Sequence, residues 1–360
     1  MPIELKRDVI IQGDCLEVLK TIPDESVDLV FADPPYNMQT EGELLRTDGT
    51  SFNGVTDNWD KFVSLKDYDA FSKLWLTECK RALKKDGAIW VIGSFQNIFR
   101  LGYIMQDLGF WILNDVIWSK PNAVPNFGGT RFQNSHETLI WCSKTKGAKY
   151  HFNYQTMKYL NGGKQMKSVW DISICIGNER LKDDDGKKIH STQKPEQLLY
   201  NVILSSTQKD DLILDPFFGT GTTGAVAKRL GRHYIGIERE NCYIEAATNR
   251  IKTVQLELSD LIDNLMDEKP PRYSIKQLME LGYLKKGQYL FSKDKAFCVE
   301  VCDDGDVKSG ELKGSIHKVS ACFLHRTNNN GWDYFWCDYN GDFVSINSLR
   351  YMAKEREAGK

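Results

Sequence analysis

Short unbroken apolar runs alternate with stretches of apolar residues at helical spacing over the first 250 residues. Val27–Ala32 (VDLVFA) reads as a buried strand running into the polar tetrapeptide DPPY. Residues 37–65 are polar, rich in Gly, Asp, Asn and Thr, and lack periodicity; a loop of that length in a compact domain is usually functional or mobile. Phe71, Leu74, Trp75 and Leu83 predict a helix over Leu65–Leu83, with Gly87 expected to close it. Ala88–Gly93, Phe110–Trp118 and Thr138–Cys142 read as strands and Ile98–Leu108 as a helix. Ser119–Phe132 is turn-rich, and 144–194 carries little regular pattern. Regularity then returns: a helix over Pro195–Ser206 with proline in its first turn, a strand at Asp211–Asp215, a helix at Thr222–Leu230, a strand at Tyr234–Glu238, and a long helix from Asn241 to about Leu265. Such alternation predicts an α/β protein built on a mostly parallel sheet.

The charged, proline-bearing segment 266–274 (MDEKPPRYS) breaks this rhythm. It suggests a first domain of residues 1–265 with insertions at about 37–65 and 119–194, a linker at 266–271, and a module at 272–360. That module has short β-like runs (Gln288–Phe291, Ala296–Val301) and turn clusters (Asp303–Asp306, Asn328–Gly331), the signature of a small α+β or mostly β fold.

Composition adds mainly exclusions. Hydrophobic residues at 41% and charged residues at 27% rule out a wholly disordered or fibrous chain. No run of 18 apolar residues predicts a membrane span, and the N-terminus lacks the apolar region of a signal peptide. Nine dispersed cysteines without metal-ligand spacing predict reduced thiols in the cytoplasm and no metal site; Cys15, Cys79, Cys142 and Cys175 sit among apolar neighbours as small core residues do. Charge is informative only in its distribution. Residues 116–194 hold thirteen lysines and arginines against six acids, a surplus of seven; with a whole-chain charge of −2, the remainder carries about −9. A basic middle in an acidic chain suits a polyanionic partner, and equally a solvated face without one.

Two motifs carry chemistry. Asp33-Pro34-Pro35-Tyr36 follows a strand, and at average residue usage it should arise by chance in about one such chain in 10³. Its prolines remove two backbone donors and leave the carbonyls of Asp33 and Pro34 rigid and free to accept. A carboxylate beside a free carbonyl can take both hydrogens of an –NH₂ group, and the tyrosine ring can stack on a flat base. The competing reading is a proline-closed turn with a surface tyrosine. The second motif, Asp215-Pro-Phe-Phe-Gly219-Thr-Gly221-Thr-Thr, joins a strand to a helix, and its glycines allow a ligand close to the backbone. Glu238, 23 residues on at the end of the next strand, is placed to accept two ribose hydroxyls.

DPPY with a downstream DPFFGTGTT resembles the DNA amino-methyltransferases that use S-adenosylmethionine, and the motif order resembles their β group. His190-Ser191-Thr192-Gln193-Lys194-Pro195 is similar to that group's cofactor-side TQKP element, with Ser191 in place of the usual proline, and Gly13-Asp14-Cys15 to another such element. FADPPYN, DGAIWVIGS, DLGFWILND, NFGGTRF, HETLIW and LDPFFGTGTTGA, with GSIHK and NGW in the tail, resemble the GANTC-specific N6-adenine members over nearly the whole chain. The resemblance implies a Rossmann-like mixed sheet with helices on both faces, S-adenosylmethionine as methyl donor with S-adenosylhomocysteine as product, adenine N6 flipped out of DNA as acceptor, and a homodimer. It assigns Asp33, Pro34, Pro35 and Tyr36 to the target amine. It assigns to the cofactor Asp14, Cys15, Asp33, His190, Thr192, Gln193, Lys194, Asp215, Phe217, Phe218, Gly219, Thr220, Gly221, Thr222, Thr223 and Glu238.

For DNA, arginine is the commonest reader of guanine, which nominates Arg46 and Arg131; Asn122 could read an adenine or cytosine edge. Lys120, Arg180, Lys187 and Lys188 are candidate phosphate contacts. Ser315, His317, Asn330, Trp332 and Arg350 combine small donors with an aromatic, as DNA backbone contact or base stacking requires. Plain surface roles compete for each, and for Trp332 a place in the core of the C-terminal module. N4-cytosine or RNA adenine methylation, and a non-catalytic DNA-binding relative, stay open. Cytosine-C5 chemistry is disfavoured because no Pro-Cys pair supplies its nucleophile, and a dehydrogenase because DPPY has no role in one.

Overall fold

A computed structural model describes residues 5–36, 62–126, 128–183, 185–257 and 271–358, with the backbone of 44–45 and 51–52. The chain divides into two compact units, Met1–Asp267 and Glu268–Lys360. In the first, β1 (Val9–Gln12), α1 (Cys15–Leu19), β2 (Val27–Ala32), the short pair β3 (Leu44–Leu45) and β4 (Ser51–Phe52), α2 (Leu65–Ala82), β5 (Leu83–Gly93) and α3 (Ile98–Asp107) come in turn. Then follow β6 (Trp111–Ser119), β7 (His136–Ser143), α4 (Tyr154–Leu160), β8 (Val169–Asp171), α5 (Glu196–Ser206), β9 (Leu212–Asp215), α6 (Thr222–Arg229), β10 (His233–Glu238) and α7 (Asn241–Thr253).

Eight strands form one sheet in the order β1-β10-β9-β2-β5-β7-β6-β8. Neighbours from β1 to β5 are parallel, β7 is antiparallel to both β5 and β6, and β8 is parallel to β6. Alternate residues of β2 serve opposite faces. Leu29 and Phe31 pack with α5, α6 and α7, through Leu198, Val226 and Ile251 among others. Val30 and Ala32 pack with α1, α2 and α3, through Leu19, Trp75 and Leu101. Helices therefore cover both faces, and β2, with no solvated side, is apolar almost throughout. Strand order reverses between β9 and β2, which pair Leu29 with Ile213 and Val30 with Leu214. The crevice beyond their carboxyl ends, where Asp215 and Asp33 emerge, is where open α/β sheets take ligands.

The second unit begins its described part with α8 (Ile275–Glu280), then β11 (Tyr289–Ser292), β12 (Cys298–Val301), β13 (Val307–Ser309), β14 (Leu312–Gly314), α9 (Ile316–Phe323), α10 (Gly331–Tyr334), β15 (Phe335–Tyr339), β16 (Asp342–Ser345) and α11 (Ile346–Ala358). Its six strands form an antiparallel sheet in the order β14-β13-β12-β11-β15-β16. Leu290, Val299, Val307 and Phe335 of that sheet share a core with Leu278, Val319 and Leu349 of the helices, giving a small α+β fold.

Local expectations needed correction in four places. The helix expected over Leu65–Leu83 and closed by Gly87 ends at Ala82, because Leu83 is already extended and pairs with Val27. Gly87 lies instead in the irregularity before Leu29 pairs with Ala88, where a Cβ would sit 2.9 Å from the Leu83 side chain and 3.0 Å from the Asp28 carbonyl. Pro195 is the cap of α5, and the helix begins at Glu196. The helix expected to reach Leu265 ends at Thr253: Val254 turns extended and packs on the core, and Glu257 holds Arg229 and Tyr200. Residues 258–265 fall outside the described part, as does nearly all of the expected 37–65 insertion. Finally, 144–194 contains α4 and β8, seven and three residues long, too short to leave a readable period. Cys79, Cys142 and Cys175 are buried and Cys15 is half-buried; burial pushes the thiols of Cys15 and Cys142 up to about 12, out of the reactive range.

Candidate active site

Loops leaving β1, β2, β9 and β10 enclose a cavity of about 310 Å³. Asp14 and Cys15 after β1, Asp33 and Pro35 after β2, Phe217 and Gly219 after β9, Glu238 and Glu240 at the end of β10, and Tyr243 in the first turn of α7 line it, with His190, Phe62 and Phe71. Its walls are fixed mainly by backbone. Gly13 N–H donates to the Glu238 carbonyl (3.0 Å). Asp14 caps α1, accepting from Leu16 N–H at 2.8 Å. The Glu238 carboxylate takes three backbone donors, Gly219 N–H at 2.8 Å on Oε2, and Arg239 and Glu240 N–H at 2.7 and 2.9 Å on Oε1. Gly221 caps α6 with φ +76°, and a Cβ there would fall 2.7 Å from that of Ala247.

Several residues expected at the cofactor also brace the loops around the cavity. The Asp215 carboxylate turns back on its own segment, accepting from Phe217 N–H (2.9 Å) and Thr223 Oγ1 (2.5 Å), and burial pushes its pKa up to about 7. Phe218 is buried and stacks on Tyr234, whereas Phe217 packs edge-on to Trp75 and lines the cavity. Thr220, Thr222 and Thr223 are buried, and Thr222 Oγ1 donates to the Lys194 carbonyl while accepting from Arg250. Gln193 Oε1 accepts from Leu181 N–H and its Nε2 donates to the Glu179 carbonyl, tying down residues 177–190. The His190 ring lies 4.6 Å from that of Tyr243 and its Nδ1 accepts from Thr192 N–H. Burial, with Lys194 and Arg180 nearby, lowers the His190 pKa to about 4, so the ring is neutral.

Beside this cavity lies a cluster of paired charges. Lys194 Nζ is 2.7 Å from Asp33 Oδ2, 3.9 Å from Glu137 Oε2 and 5.0 Å from the centre of the Tyr36 ring. Tyr36 donates its hydroxyl to Glu137 Oε2 (3.0 Å), and Lys120 Nζ donates to Glu137 Oε1 (3.0 Å). The four charged side chains are between 7% and 18% exposed. Pro34, Pro35 and Tyr36 are buried, and Asn97 links the Pro35 carbonyl (3.5 Å) to the Tyr68 hydroxyl (2.9 Å). Burial lifts the Asp33 carboxyl above the ordinary range against the pull of Lys194. Burial acts on Glu137 too, but Lys194 and Lys120 together hold it below the ordinary range. Sequence reasoning gave Glu137 no role. Its signal was a lone acid in the strand HETLIW, opposite Trp118 in register.

Several of the residues nominated for DNA are already held by partners within their own unit. Arg46 lies outside the described residues. Lys120 is consumed by Glu137, and Asn122 Oδ1 accepts from Ile174 N–H (2.8 Å). Arg180, expected at a phosphate, donates to the carbonyls of Cys175, His190 and Ser191. Arg131, Lys187 and Lys188 are exposed, Arg131 with its guanidinium 5.4 Å over the Phe95 ring. In the C-terminal unit Ser315 and Asn330 cap α9 and α10, and His317 Nδ1 accepts from Gly331 N–H (3.1 Å). Arg350, 9% exposed, stacks 4.4 Å over Trp332, which packs on the core of that unit.

The sheet order, the glycine loop after β9, the acid ending β10 and the Asp33-to-Tyr36 loop at the switch point define a methyltransferase of the S-adenosylmethionine-dependent class. Residues 27–249 match the family model for N6/N4 DNA methylases, and the chain belongs to that family. It is 61% identical over 345 residues to the Type II methyltransferase M.HinfI of Haemophilus influenzae, spanning 96% of both chains. It is also 41% identical over 245 residues to the Type II methyltransferase M2.DpnII of Streptococcus pneumoniae, spanning 68% of this chain and 89% of that one. Two solved structures share the fold at 24% identity: the complex of M1.HpyAVI with S-adenosylmethionine (TM-score 0.51, 67% of this chain and 98% of that one) and the cytosine-N4-specific PvuII DNA methyltransferase (TM-score 0.53, 72% and 93%). The cofactor is S-adenosylmethionine, and the cavity fits it. The carboxylates of Asp14 and Glu238 suit hydroxyl and ammonium donors, and the rings of Phe217 and Tyr243 suit a flat base.

Proposed function

We propose that this protein methylates N6 of adenine in DNA, in the sequence 5′-GANTC-3′. The observation that carries the reading is the meeting of the Asp33-to-Tyr36 loop with the Gly219 cavity at the carboxyl ends of the central strands. Bound S-adenosylmethionine supplies an electrophilic methyl group; everything else is placement and electrostatics. The lone pair of adenine N6 is delocalised into its ring. With the Asp33 carboxylate and the Pro34 carbonyl accepting its two hydrogens, the nitrogen can pyramidalise and its lone pair leaves conjugation with the ring. Glu238, Asp14 and the Gly219 backbone hold the cofactor, and Phe217 and Tyr243 wall it in.

An amine inside a duplex cannot reach this depth, so the adenine is flipped out, at a cost of a few kcal/mol that phosphate contacts offset. Of the residues nominated for DNA in the catalytic unit, Arg131, Lys187 and Lys188 are exposed and open to such contacts. The C-terminal unit contributes further DNA contact, and the working form is a homodimer in the cytoplasm, on the nucleoid.

The deciding experiment is transfer of label from S-adenosylmethionine into duplexes with one GANTC site, beside duplexes in which that adenine is replaced. Label at N6 in the first and none in the second is expected. Label on a cytosine N4 instead would move the protein to the other branch of its family.

A further inference from the structure

In the proposed reaction Asp33 must accept from the target amine and Tyr36 must face the target ring, yet one side chain of the protein already meets both. Lys194 Nζ donates to Asp33 Oδ2 at 2.7 Å and stands 5.0 Å over the Tyr36 ring. We propose that Lys194 is a placeholder for the target amine, resting on Asp33 in the free enzyme and transferring to Glu137 when the base enters. The inference rests on the reading of Asp33 as the amine acceptor.

Three features support it. First, Glu137 Oε2 is only 3.9 Å from Nζ, a distance the flexible lysine stem can close. Second, the two oxygens of Glu137 divide their work: Oε1 already holds Lys120 at 3.0 Å, and Oε2 holds the Tyr36 hydroxyl at 3.0 Å and faces Lys194. Third, the cluster is neutral, two carboxylates against two ammoniums, all nearly buried. An empty Asp33 would be an uncompensated buried charge and would take up a proton, losing its ability to accept. The ammonium keeps it ionised until a neutral base arrives, and the short transfer to Glu137 leaves the charge of the cluster unchanged. Glu137 is then a positioning residue, acting through Lys194 and Tyr36.

Glu137→Gln, Lys194→Met and the double variant test this in the full-length protein, by single-turnover methyl transfer into the GANTC duplex and by equilibrium binding of S-adenosylmethionine. Glu137→Gln should slow transfer about ten-fold or more, since the ammonium loses its second partner, with cofactor affinity within about two-fold. Its defect should shrink as pH rises. Lys194 faces Asp33, Tyr36 and Glu137, with Lys120, Arg180 and the neutral His190 nearby. Without the Glu137 charge its pKa falls, and a neutral amine releases Asp33 more readily. The double variant, again neutral and with no ammonium left on Asp33, should be faster than Glu137→Gln alone at alkaline pH, where Asp33 stays ionised without Lys194.

If the double variant is as slow as the slower single one, or the Glu137→Gln defect does not respond to pH, Lys194 is a fixed brace of Asp33 and the proposal falls. The pH response stands by itself should either lysine variant fail to fold. A wild-type protein that leaves the duplex unlabelled would overturn the parent reading instead, a separate outcome.

Discussion

The two halves of the site are built from different materials. The cofactor half is backbone: three N–H groups on Glu238, a left-handed glycine starting α6, a capped helix after β1, all around an open cavity. The amine half is side chain, two carboxylates and two ammoniums paired at 2.7–3.0 Å with a tyrosine between them. A backbone site is preorganised and receives its ligand without rearrangement. The amine half is saturated by its own partners and must exchange one of them for the substrate. Selectivity for a base therefore has a barrier to act on that the cofactor does not meet.

The largest effect should follow from breaking the amine half alone. Asp33→Ala should lower methyl transfer by about 10³-fold or more while S-adenosylmethionine binds within a few-fold of wild type, because Asp33 is one of many residues lining the cavity and its carboxylate is paired with Lys194. Turnover kinetics beside calorimetric cofactor binding measure both; near-normal turnover would remove Asp33 from the chemistry. The converse break is Gly221→Ala. A Cβ there meets Ala247 at 2.7 Å on a residue at φ +76°, so strain and overpacking should together cost about 2–4 kcal/mol and weaken cofactor binding. Chemical denaturation and the same calorimetry read this out. The two halves would not be separable if Asp33→Ala lost the cofactor as well.

The difference in material also explains what could be read in advance. Backbone loops need glycine and proline at fixed spacing, so DPPY and the Gly219–Gly221 loop stood out in the sequence, as did the alternation that specifies the sheet. Asp215 and Phe218 belong to the same motif as Gly219 and Phe217, yet their side chains turn inward, because spacing along a loop does not fix direction. The charge cluster was illegible. Glu137 is 104 residues from Asp33 in a strand that pairs antiparallel to β5 and β6, and only the fold makes them neighbours. Lys120, Asn122 and Arg180 were nominated for DNA by residue type, and residue type cannot reveal that a partner within the chain has already taken the side chain.

A smaller, pH-dependent effect tests whether the cofactor half really avoids paired charges. Asp215 is its deeply buried acid, held only by Phe217 N–H and Thr223, with a folded pKa near 7 against an ordinary 3.8. A carboxyl whose folded pKa is raised contributes stability that is complete below about pH 4 and lost as pH rises through 7. Asp215→Asn keeps an oxygen that can accept from Phe217 N–H but cannot ionise. Its melting temperature should therefore fall less than wild type's between pH 5 and pH 8. Parallel curves for the two proteins would mean that Asp215 is ionised throughout.

The smallest effect separates the catalytic unit from the C-terminal one, where the residues nominated for DNA already serve as helix caps and core. Ser315 accepts from Lys318 N–H at 3.3 Å and starts α9. Removing such a cap with Ser315→Ala should cost about 1 kcal/mol, whatever the residue does for DNA. Ser315→Asp is the sharper change, because aspartate caps as well as serine and its charge suits a helix N-terminus, so stability should stay within a few tenths of a kcal/mol. The same charge would repel a phosphate. A drop of a few-fold in duplex affinity at low salt, fading as salt screens the repulsion, would place the start of α9 at the DNA backbone. Unchanged affinity with unchanged stability would leave Ser315 a cap and nothing more, and would move DNA contact in this unit to residues whose side chains are not already held by their own fold.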